Sequence, residues 1–499
     1  MPTRQGTATA PNAPEHEGRN RLVINLMLVA TFVVFLNETI IGVAIPRVMD
    51  DLSVEASTAQ WLSTAFMLTM AVVIPTTGFL MQRLSTRTVF ILAMSLFTFG
   101  TAIAAIAPGF EILLAGRVVQ ASGTAIMMPL LMTTVMTLVP PHSRGKTMGN
   151  ISIVMSVAPA LGPAIGGQIV QYLEWRFIFI LVLPIAAAAL VLGALRVKNV
   201  TEPRAVPLDT LSVILSAFAF GGLIYGLSSL GESVSGNAPV APWIPLAAGG
   251  ASLVLFILRQ LFLQRGEKAF LDLRTFTSRG FTVAILLMVI VMGSLFGTII
   301  LLPIYTQKVL GLDPGFSGLI LVPGGLLMGL AGPFVGRLYD RVGPRPLIVP
   351  GSIIVSLVFW ALTFLNENTP WGLVLAAHVG LCIGLAFMFT PLFTSSMAAL
   401  NPRLYSHGSA TIATVQQLAG AAGTALFIAL LTIGQVTSEA AGATEASALA
   451  NGVHSAFLAG AFISLLAVVG SFFVPKPVEF DHDGAAAEAA REAETSELV

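Results

Sequence analysis

The sequence predicts an all-α integral membrane protein with fourteen transmembrane helices. Apolar residues make up 55% of its 499 positions and charged residues only 10%, whereas soluble proteins carry about 25% charged residues. The mean hydropathy is +0.87, and the apolar residues form long unbroken runs. Strands of a membrane barrel would instead alternate apolar and polar residues, so these runs indicate helices. The composition excludes a soluble enzyme, a disordered chain and a nucleic-acid-binding protein.

Fourteen apolar runs are long enough for a transmembrane helix, which needs roughly 20 residues. Their predicted bounds are 22–45, 58–81, 87–108, 111–137, 148–172, 176–196, 210–230, 241–263, 280–304, 315–338, 346–366, 371–399, 408–434 and 453–474. The polar segment 1–20 and the acidic segment 476–499 lie outside these runs and are expected to be disordered cytoplasmic tails. The first run is too long for a signal peptide, so we expect it to be retained.

The distribution of basic residues predicts the orientation of the helices. With the N-terminus in the cytoplasm, 21 of the 25 Lys and Arg residues fall at the cytoplasmic face. Arg47, Arg176 and Lys308 fall in outer loops, and Arg117 falls within a span. Basic residues favour cytoplasmic loops, so this asymmetry predicts that both termini are cytoplasmic.

Two sequence segments recur at a nearly constant spacing. PTTGFLMQRLSTR at 75–87 resembles PFVGRLYDRVGPR at 333–345, and LAGRVVQASGTA at 114–125 resembles LAAHVGLCIGLA at 375–386. Such an internal repeat predicts two duplicated halves around a central site, which is an architecture of transporters.

The repeat also predicts the domain organisation. A six-helix bundle is expected over 21–200, a linker with two inserted helices over 201–275, and a second six-helix bundle over 276–475. The inserted helices, at about 210–263, fall outside the duplicated unit. We therefore expect them at the periphery of the bundles, facing lipid or a second subunit, and dispensable for the basic cycle.

Two charged residues are predicted to lie deep inside the membrane. Glu38 is the one carboxylate placed well within a span, and a buried ionisable group there is a functional candidate. It lies roughly 24 Å above the cytoplasmic start of its helix, and Arg117 lies roughly 9 Å below the outer start of the fourth helix. The two charges therefore reach similar depth, and Glu38 is the available partner for a costly buried arginine. The alternatives are a Glu38 that caps the helix end at the outer interface, or a static structural ion pair.

Motifs around these two residues resemble the major facilitator superfamily, in particular its fourteen-helix drug:proton antiporter branch of multidrug and lincomycin-resistance-type efflux transporters. LNETIIGVAIP at 36–46 is similar to the branch's first-helix signature, although Asn37 stands at the usual aspartate position and the carboxylate follows at Glu38. RVVQASGTA, beginning at Arg117, is similar to the superfamily's fourth-helix motif, with Ala121 in place of glycine. The resemblance implies that Glu38 and Arg117 form the proton-coupling site.

The fifth predicted helix carries GPAIGG, which resembles the motif of antiporters in this superfamily and implies export. The motif residues are Pro159, Gly162, Pro163, Gly166 and Gly167. Gly162 and Gly166 share a helix face and permit close approach of another helix, while Pro163 can bend the helix. The alternative is that the motif serves helix packing alone.

The repeated loop segments resemble the superfamily's gating loops. The implied gating residues are Gly78, Arg83, Arg87, Gly336, Asp340, Arg341 and Arg345. Asp340, near the basic residues, can latch two helix ends in one conformation. The first copy has Gln82 where the second has Asp340, so its latch is expected to be weaker. The alternative is that the basic residues only determine topology.

Further polar and apolar residues are candidates for the substrate cavity. They are Asn37, Gln120, His378, Phe387, Met388, Gln416 and Gln417. His378 occupies the position in the second half that Arg117 occupies in the first, but a hydrogen-bonded structural histidine is the alternative. The two glutamines can instead bond neighbouring helices, and the apolar pair can face lipid or the core.

The expected function is proton-coupled export of hydrophobic or amphipathic drugs and antibiotics by alternating access, without an enzymatic activity. The sequence contains no GxxxxGK[ST] stretch and no Cys/His cluster with metal spacing, so we expect the proton gradient as energy source and no cofactor or metal. The expected partners are small substrates, protons and the lipid bilayer of a bacterial plasma membrane, with no nucleic acid, and the protein is expected to be a monomer. The alternatives are a lipid or fatty-acid exporter on the same scaffold, and a non-transporting membrane sensor or scaffold.

Overall fold

The computed structural model describes residues 13–475, except for 55, 198, 200–202, 204–208, 235–239 and 267. The described residues form α-helices and short 3₁₀ segments, without a β-strand. The helices are α1 (Ala13–Leu52), α2 (Ala56–Arg83), α3 (Thr86–Ala105), α4 (Phe110–Leu138), α5 (Arg144–Tyr172), α6 (Phe177–Arg196), α7 (Thr210–Val234), α8 (Trp243–Leu263), α9 (Arg279–Lys308), α10 (Pro314–Val342), α11 (Arg345–Leu362), α12 (Trp371–Ala398), α13 (Tyr405–Ala440) and α14 (Glu445–Ser471).

Each predicted span coincides with one of these helices, and the predicted fold class is confirmed. Thirteen of the helices, all except α5, are long and apolar enough in their described residues to cross a membrane. Large apolar side chains such as Phe218, Leu258 and Phe364 are exposed on the outside, as expected where the surrounding solvent is lipid.

The two predicted tails are only partly within the described residues. Helix α1 begins at Ala13, so its first residues extend into the segment predicted to be a tail. Proline in the first turn, here Pro14, is compatible with a helix start because its missing N–H would have no partner there. The segments 1–12 and 476–499 lie outside the described residues.

Several helix starts are determined by local capping. Ser85 accepts a hydrogen bond from the Thr88 amide before α3, and Ser278 accepts one from the Phe281 amide before α9. Asp313 accepts one from the Gly315 amide, 2.8 Å away, before α10. Such caps satisfy amides that a helix leaves without partners in its first turn, which ends each connecting loop at a defined residue.

The helices pack as two groups of six and one pair. Helices α1 to α6 contact one another, as do α9 to α14, and α7 packs on α8. The two groups meet along two seams, where α5 lies against α10 and α2 lies against α13. This arrangement agrees with two duplicated halves, while the residue boundaries of the predicted domains stay a prediction. We call the face at which α2 ends and α3 begins the basic face, because exposed Arg83, Arg87, Arg341 and Arg403 lie there.

Small residues bring α5 and α10 very close together near the basic face. A methyl group added at Gly332 would lie 2.6 Å from the Gly149 carbonyl oxygen, and one at Gly336 would collide with the Gly145 carbonyl. Four glycines thus remove the side chains that would otherwise separate the two backbones. The seam between the groups is closed at this level.

The inserted pair lies on the outside of the two groups, and one of its helices contacts both of them. Helix α7 contacts α2 of the first group and α13 of the second, so it lies across one of the two seams. Helix α8 packs on α7, where Gly222 lies against Gly249, and exposes Val254, Leu258 and Phe262. Helix α7 also exposes Leu211, Ile214 and Phe218, so both helices have a lipid-facing side, and α7 in addition contacts both groups.

Candidate functional site

Arg117 of α4 lies at the centre of a buried polar cluster inside the first group of helices. Its side chain is 1% exposed. Nη1 donates hydrogen bonds to Gln120 Oε1 at 2.7 Å and to Asn37 Oδ1 of α1 at 3.3 Å. The guanidinium carbon lies 4.0 Å from the ring centre of Phe66 on α2, which is a cation–π contact. The partners that hold this cation in place are therefore neutral.

Close packing of α3 on α4 orients this cluster. A methyl group at Gly116 would lie 3.0 Å from the Gly100 carbonyl oxygen, and one at Gly100 would collide with the Gln120 amide. This approach lets Gln120 Nε2 donate to Thr101 Oγ1 at 2.7 Å. Gln120 is fully buried, and its amide is fixed by Arg117 on one side and Thr101 on the other. The Gln120 side chain therefore holds the Arg117 guanidinium in position from the next turn of α4.

Glu38 lies next to Asn37 on α1 but does not contact Arg117 directly. Within the described residues, Glu38 and Arg117 form no ion pair within 4.0 Å, so the predicted direct pair is wrong for this conformation. Consecutive helix residues are rotated by about 100°, and Asn37 takes the position that faces Arg117. The two charges still interact electrostatically, and Glu38 is only partly buried. Their similar depth, predicted from the sequence, agrees with the structure.

The glycines of the fifth-helix motif pack directly beside Glu38. A methyl group at Gly162 would collide with Thr39 Oγ1, and one at Gly166 would lie 2.9 Å from the Ile40 carbonyl oxygen. Helix α5 thus contacts α1 at the two residues that follow Glu38. Pro159 and Gly167 are partly buried on the same helix. The side chain of Pro163 lies outside the described residues.

Asp340 joins the two groups at the basic face. Its Oδ1 accepts the Gly145 amide at 2.8 Å and its Oδ2 accepts the Lys146 amide at 2.9 Å. Both amides belong to the first turn of α5, whose own N-cap residue Ser143 provides no side-chain hydrogen bond. The carboxylate therefore caps a helix of the other group, where its charge also complements the helix dipole. Asp340 thus joins a helix end of each group in this conformation, with backbone amides rather than arginines as its partners, and its gating role stays a prediction.

The first copy of the gating loop lies beside the start of α13, just as the second copy lies beside the start of α5. Gln82 replaces the aspartate, and its amide lies within hydrogen-bond distance of His407 Nε2. A methyl group added at Gly78 would lie 3.4 Å or more from the atoms of α13, which is an ordinary contact distance. Arg83 stacks over Phe79 at 5.8 Å, and the Arg87 amide donates to Asn199 Oδ1 at 3.4 Å.

In the second copy, the remaining gating residues have different environments. Gly336 contacts the Gly145 backbone, and Arg345 Nε donates to the Val474 carbonyl at 2.5 Å, which ties α11 to the end of α14. Arg341 is exposed at the basic face. In this second copy, Asp340 and Gly336 both contact α5 of the other group.

The candidate cavity residues lie in several places. Gln416 Nε2 contacts Met292 Sδ at 3.6 Å within the second group, and Gln417 Nε2 contacts Met70 Sδ at 3.7 Å across the seam between α13 and α2. Asn37 and Gln120 belong to the Arg117 cluster. Two partly buried amides therefore follow each other on α13, one facing α9 and the other facing α2, and each has a sulfur atom as a weak acceptor.

The other cavity candidates pack within the second group. His378 Nε2 lies 3.2 Å from the Leu321 carbonyl on α10, and its imidazole fills the space left by Gly324. A methyl group on Gly351 of α11 would lie 2.9 Å from Phe387 Cβ and 3.0 Å from Met388 Cγ. These contacts assign the three side chains to helix packing in this conformation and do not bring His378 to Arg117.

On the opposite face, Asp51 ties the end of α1 to the loop before α6. It accepts hydrogen bonds from Trp175 Nε1 at 3.0 Å and from Arg176 Nη1 at 2.7 Å. These two donors, the indole first and the guanidinium second, lower the pKa of the Asp51 carboxyl. Within the described residues, no three His, Cys, Asp or Glu side chains are placed to hold a metal ion.

Comparison with known proteins identifies the family. Residues 27–424 match the Major Facilitator Superfamily. The chain belongs to this superfamily. It is 36% identical over 467 residues to the lincomycin resistance protein LmrB of Bacillus subtilis, covering 92% of this chain and 96% of that one. It is 38% identical over 456 residues to the MFS-type transporter YcnB of the same species, covering 91% and 95%.

A more distant relative and a solved structure agree with this assignment. The multidrug resistance protein B homolog of Mycobacterium tuberculosis (strain H37Rv) is 29% identical over 438 residues, covering 85% of this chain and 80% of the relative. The proton:xylose symporter XylE superposes with a TM-score of 0.64 at 13% identity, covering 92% of this chain and 97% of that one, which shows a shared fold. The protein is thus a multi-pass membrane transporter of the major facilitator superfamily with bacterial resistance-protein relatives.

Some residues of the candidate functional site were not predicted from the sequence. Phe66 and Thr101 hold Arg117 and its neighbour Gln120, but no motif distinguishes them from other residues of α2 and α3. His407 could have been found, because the repeat spacing places it opposite Lys146 at the start of the matching helix.

Proposed function

We propose that this transporter is a proton-coupled antiporter that exports hydrophobic or amphipathic drugs by alternating access. The resistance to lincomycin and multiple drugs in the names of its relatives supports this substrate class. The proposal includes a bacterial plasma membrane location with the basic face and both termini in the cytoplasm, as the distribution of Lys and Arg favours. The proton gradient is the energy source, without a cofactor, and the functional unit is a monomer.

The observation that carries the proposal is the unequal pairing of the two deep charges. Arg117 is fully buried and held by Asn37, Gln120 and Phe66, whereas Glu38 has no hydrogen bond among the described residues. Proton binding to Glu38 would change the cluster from neutral to positive without breaking a direct hydrogen bond. A partly buried carboxylate can exchange a proton while the arginine stays in place. Such a group is suited to reversible proton coupling.

Helix α5 provides a physical connection from this site to the gate. Gly162 and Gly166 contact α1 directly after Glu38, and Gly145 and Lys146 on the same helix are capped by Asp340. The two contact regions lie roughly 26 Å apart along one helix. A change in how α1 meets α5 would therefore act on the seam with α10. In this conformation the start of α5 is capped by Asp340, so the α5–α10 seam is closed at the basic face.

The substrate would bind beside the cluster and along α13. Gln416 and Gln417 are partly buried, and thioether sulfurs are weak acceptors, so both amides keep capacity for hydrogen bonds to a substrate. Methionine side chains adapt to ligands of different shape, which suits a broad range of apolar compounds.

Efflux measured with a substrate panel, with and without an uncoupler, tests the proposal. Glu38→Gln keeps the shape of the side chain and removes its titration, so the variant should insert normally but lose uncoupler-sensitive efflux. Asp50→Asn is the matched control, because Asp50 is an exposed carboxylate on the same helix. Wild-type accumulation by Glu38→Gln against a gradient would exclude Glu38 as the coupling site. Lipid flux in the same vesicles without drug flux would favour the lipid exporter, and no proton movement with any substrate would favour a sensor.

A further inference from the structure

The segment that joins α8 to α9 is packed into the protein, and we call residues 268–278 the strap. Phe270, Leu271, Asp272 and Thr275 of the strap are at most 4% exposed. A buried connecting segment needs partners for its backbone N–H groups. Those partners show which helices the strap joins.

One end of the strap is tied to the inserted helices. Gln260 of α8 is fully buried, and its Oε1 accepts the amides of Phe270 at 2.9 Å and Leu271 at 3.1 Å. Its Nε2 donates to Ser212 Oγ of α7 at 2.7 Å. A bidentate ion pair from Arg259 to Asp209, with both contacts at 2.6 Å, closes the same end and lowers the pKa of Asp209 to about 2. The strap and the inserted pair thus form one connected unit.

An aromatic cluster attaches this unit to α2. The Phe270 ring stacks on Phe79 of α2 with centroids 6.4 Å apart, and it meets Phe256 of α8 edge to face at the same distance. Phe256 in turn contacts Phe220 of α7. Phe79 directly follows the gating glycine Gly78. The ring of a strap residue therefore lies against the gating end of α2.

A histidine attaches the strap to α13. The Asp272 amide donates to His407 Nδ1 at 3.3 Å, and Nε2 of the same ring faces the amide of Gln82 on α2. His407 is 5% exposed in the first turn of α13. This one ring is shared by the strap, α2 and α13, and the three meet at the basic face.

The two seams are therefore held by different means. At the seam of α5 with α10, the Asp340 carboxylate caps two amides directly. At the seam of α2 with α13, the corresponding residue is the neutral Gln82, and the N-cap residue of α13, Leu404, makes no side-chain hydrogen bond. A neutral amide lacks the second acceptor oxygen and the charge that make the Asp340 contact strong.

We propose that the inserted helices α7 and α8 act through the strap as the gate clamp of the α2–α13 seam, in place of the carboxylate that Gln82 lacks. The inserted pair then has a function in gating rather than being an inert addition at the periphery. The inference rests on the proposed alternating-access cycle, because a clamp matters only where the seam opens. It does not depend on the substrate or on proton coupling.

Spin-label distances in the full-length protein test the clamp, with the buried native cysteine replaced (Cys382→Ala). One label pair, Thr88→Cys with Arg403→Cys, reports the α2–α13 seam, and a second, His142→Cys with Val342→Cys, reports the α5–α10 seam. All four positions are exposed at the basic face. Phe270→Ala should raise the open-to-closed ratio of the first pair about three- to tenfold, the effect of one aromatic pair, and leave the second pair unchanged.

Three further variants make the result decisive. Phe79→Ala removes the same ring contact from α2, so it should reproduce the shift, and the double variant should fall short of the sum. Phe276→Ala is the matched control, because this strap residue is 38% exposed and its ring meets Phe281 of α9. Unchanged distances in folded Phe79→Ala protein, or equal widening of both seams, would overturn the clamp. Because distances are read without substrate or gradient, a failure of proton coupling would leave this result intact and appear only in the efflux assay.

Discussion

Moving the deep carboxylate from position 38 to position 37 should restore part of the transport that Glu38→Gln removes. Asn37 already accepts a hydrogen bond from Arg117 Nη1 at 3.3 Å, and aspartate has the same shape as asparagine. In Asn37→Asp, an oxygen also replaces Asn37 Nδ2, a buried donor without a partner in the described part of the chain. The double variant Asn37→Asp/Glu38→Gln therefore keeps one carboxylate and brings it into direct contact with Arg117.

The geometry sets the expected size of the effect. Unit charges 3.3 Å apart attract by about 5 kcal/mol at an effective dielectric constant of about 20. Glu38 lies beyond 4.0 Å from the guanidinium, so by the same formula its attraction is below about 4 kcal/mol. The new pair is thus at least about 1 kcal/mol harder to separate, which corresponds to roughly fivefold slower efflux. The restored activity should also need a higher proton concentration, because the closer carboxylate gives up its charge less readily.

The assay is uptake into inverted vesicles driven by an imposed pH step, with a drug that the wild type moves. Glu38→Gln and the double variant are compared at equal amounts of monodisperse protein, and Asp50→Asn controls for loss of a carboxylate from the same helix. The reasoning is refuted if the double variant transports no better than Glu38→Gln while both unfold at the wild-type temperature. Position 37 would then be unable to serve as a coupling site, whatever its contact with Arg117.

Three further perturbations follow from the contacts. Arg117→Ala should lower the free energy of unfolding by about 2–5 kcal/mol, because a large buried side chain is lost and its acceptors are left unpaired, and thermal unfolding in detergent measures this. Gly166→Ala places a methyl group 2.9 Å from a carbonyl oxygen of α1 and should reduce efflux and stability, whereas Gly250→Ala, with open space around it, should change neither. Asp340→Ala should weaken the α5 cap by about 0.5–2 kcal/mol and open that seam in spin-label distances, whereas Asp313→Ala, the same change at the cap of α10, should leave the seam closed.

The helices were predictable because burial in lipid leaves a direct signature in composition. Every apolar run of about 20 residues became a helix, since a membrane offers no other partner for backbone groups. The exception is the start of α1, where residues from Ala13 continue the helix beyond the apolar run. Hydropathy measures where lipid ends, and a helix can extend past that point into water.

The sequence predicts the depth of the two charged side chains but not the directions in which they point. Counting residues along two helices placed Glu38 and Arg117 at matching height, which agrees with the structure. The residue that faces Arg117 is nevertheless Asn37, because one position changes the direction of a side chain by about 100°. The orientation of α1 about its axis depends on how Gly162 and Gly166 pack against it, and that packing follows from the whole bundle.

The loop motif predicted a latch at Asp340 but not its partners. Opposite charges are visible in a sequence, so the nearby basic side chains are the partners that the motif predicts. The partners are the amides of Gly145 and Lys146, which every residue type except proline could provide. Backbone donors at a helix start carry no residue signature, so contacts of this kind become visible only in a structure.

The inserted helices illustrate what a repeat can and cannot predict. A repeat identifies α7 and α8 as additional to two matching halves, and additional helices are easily taken to be peripheral. The halves are not identical at their gating loops, because Gln82 stands where Asp340 stands in the second copy. The seam with the weaker residue is the one that α7 crosses and that the strap contacts through His407. The position of the inserted pair thus matches the asymmetry between the halves, and an insertion that compensates a lost latch residue would be retained for that reason.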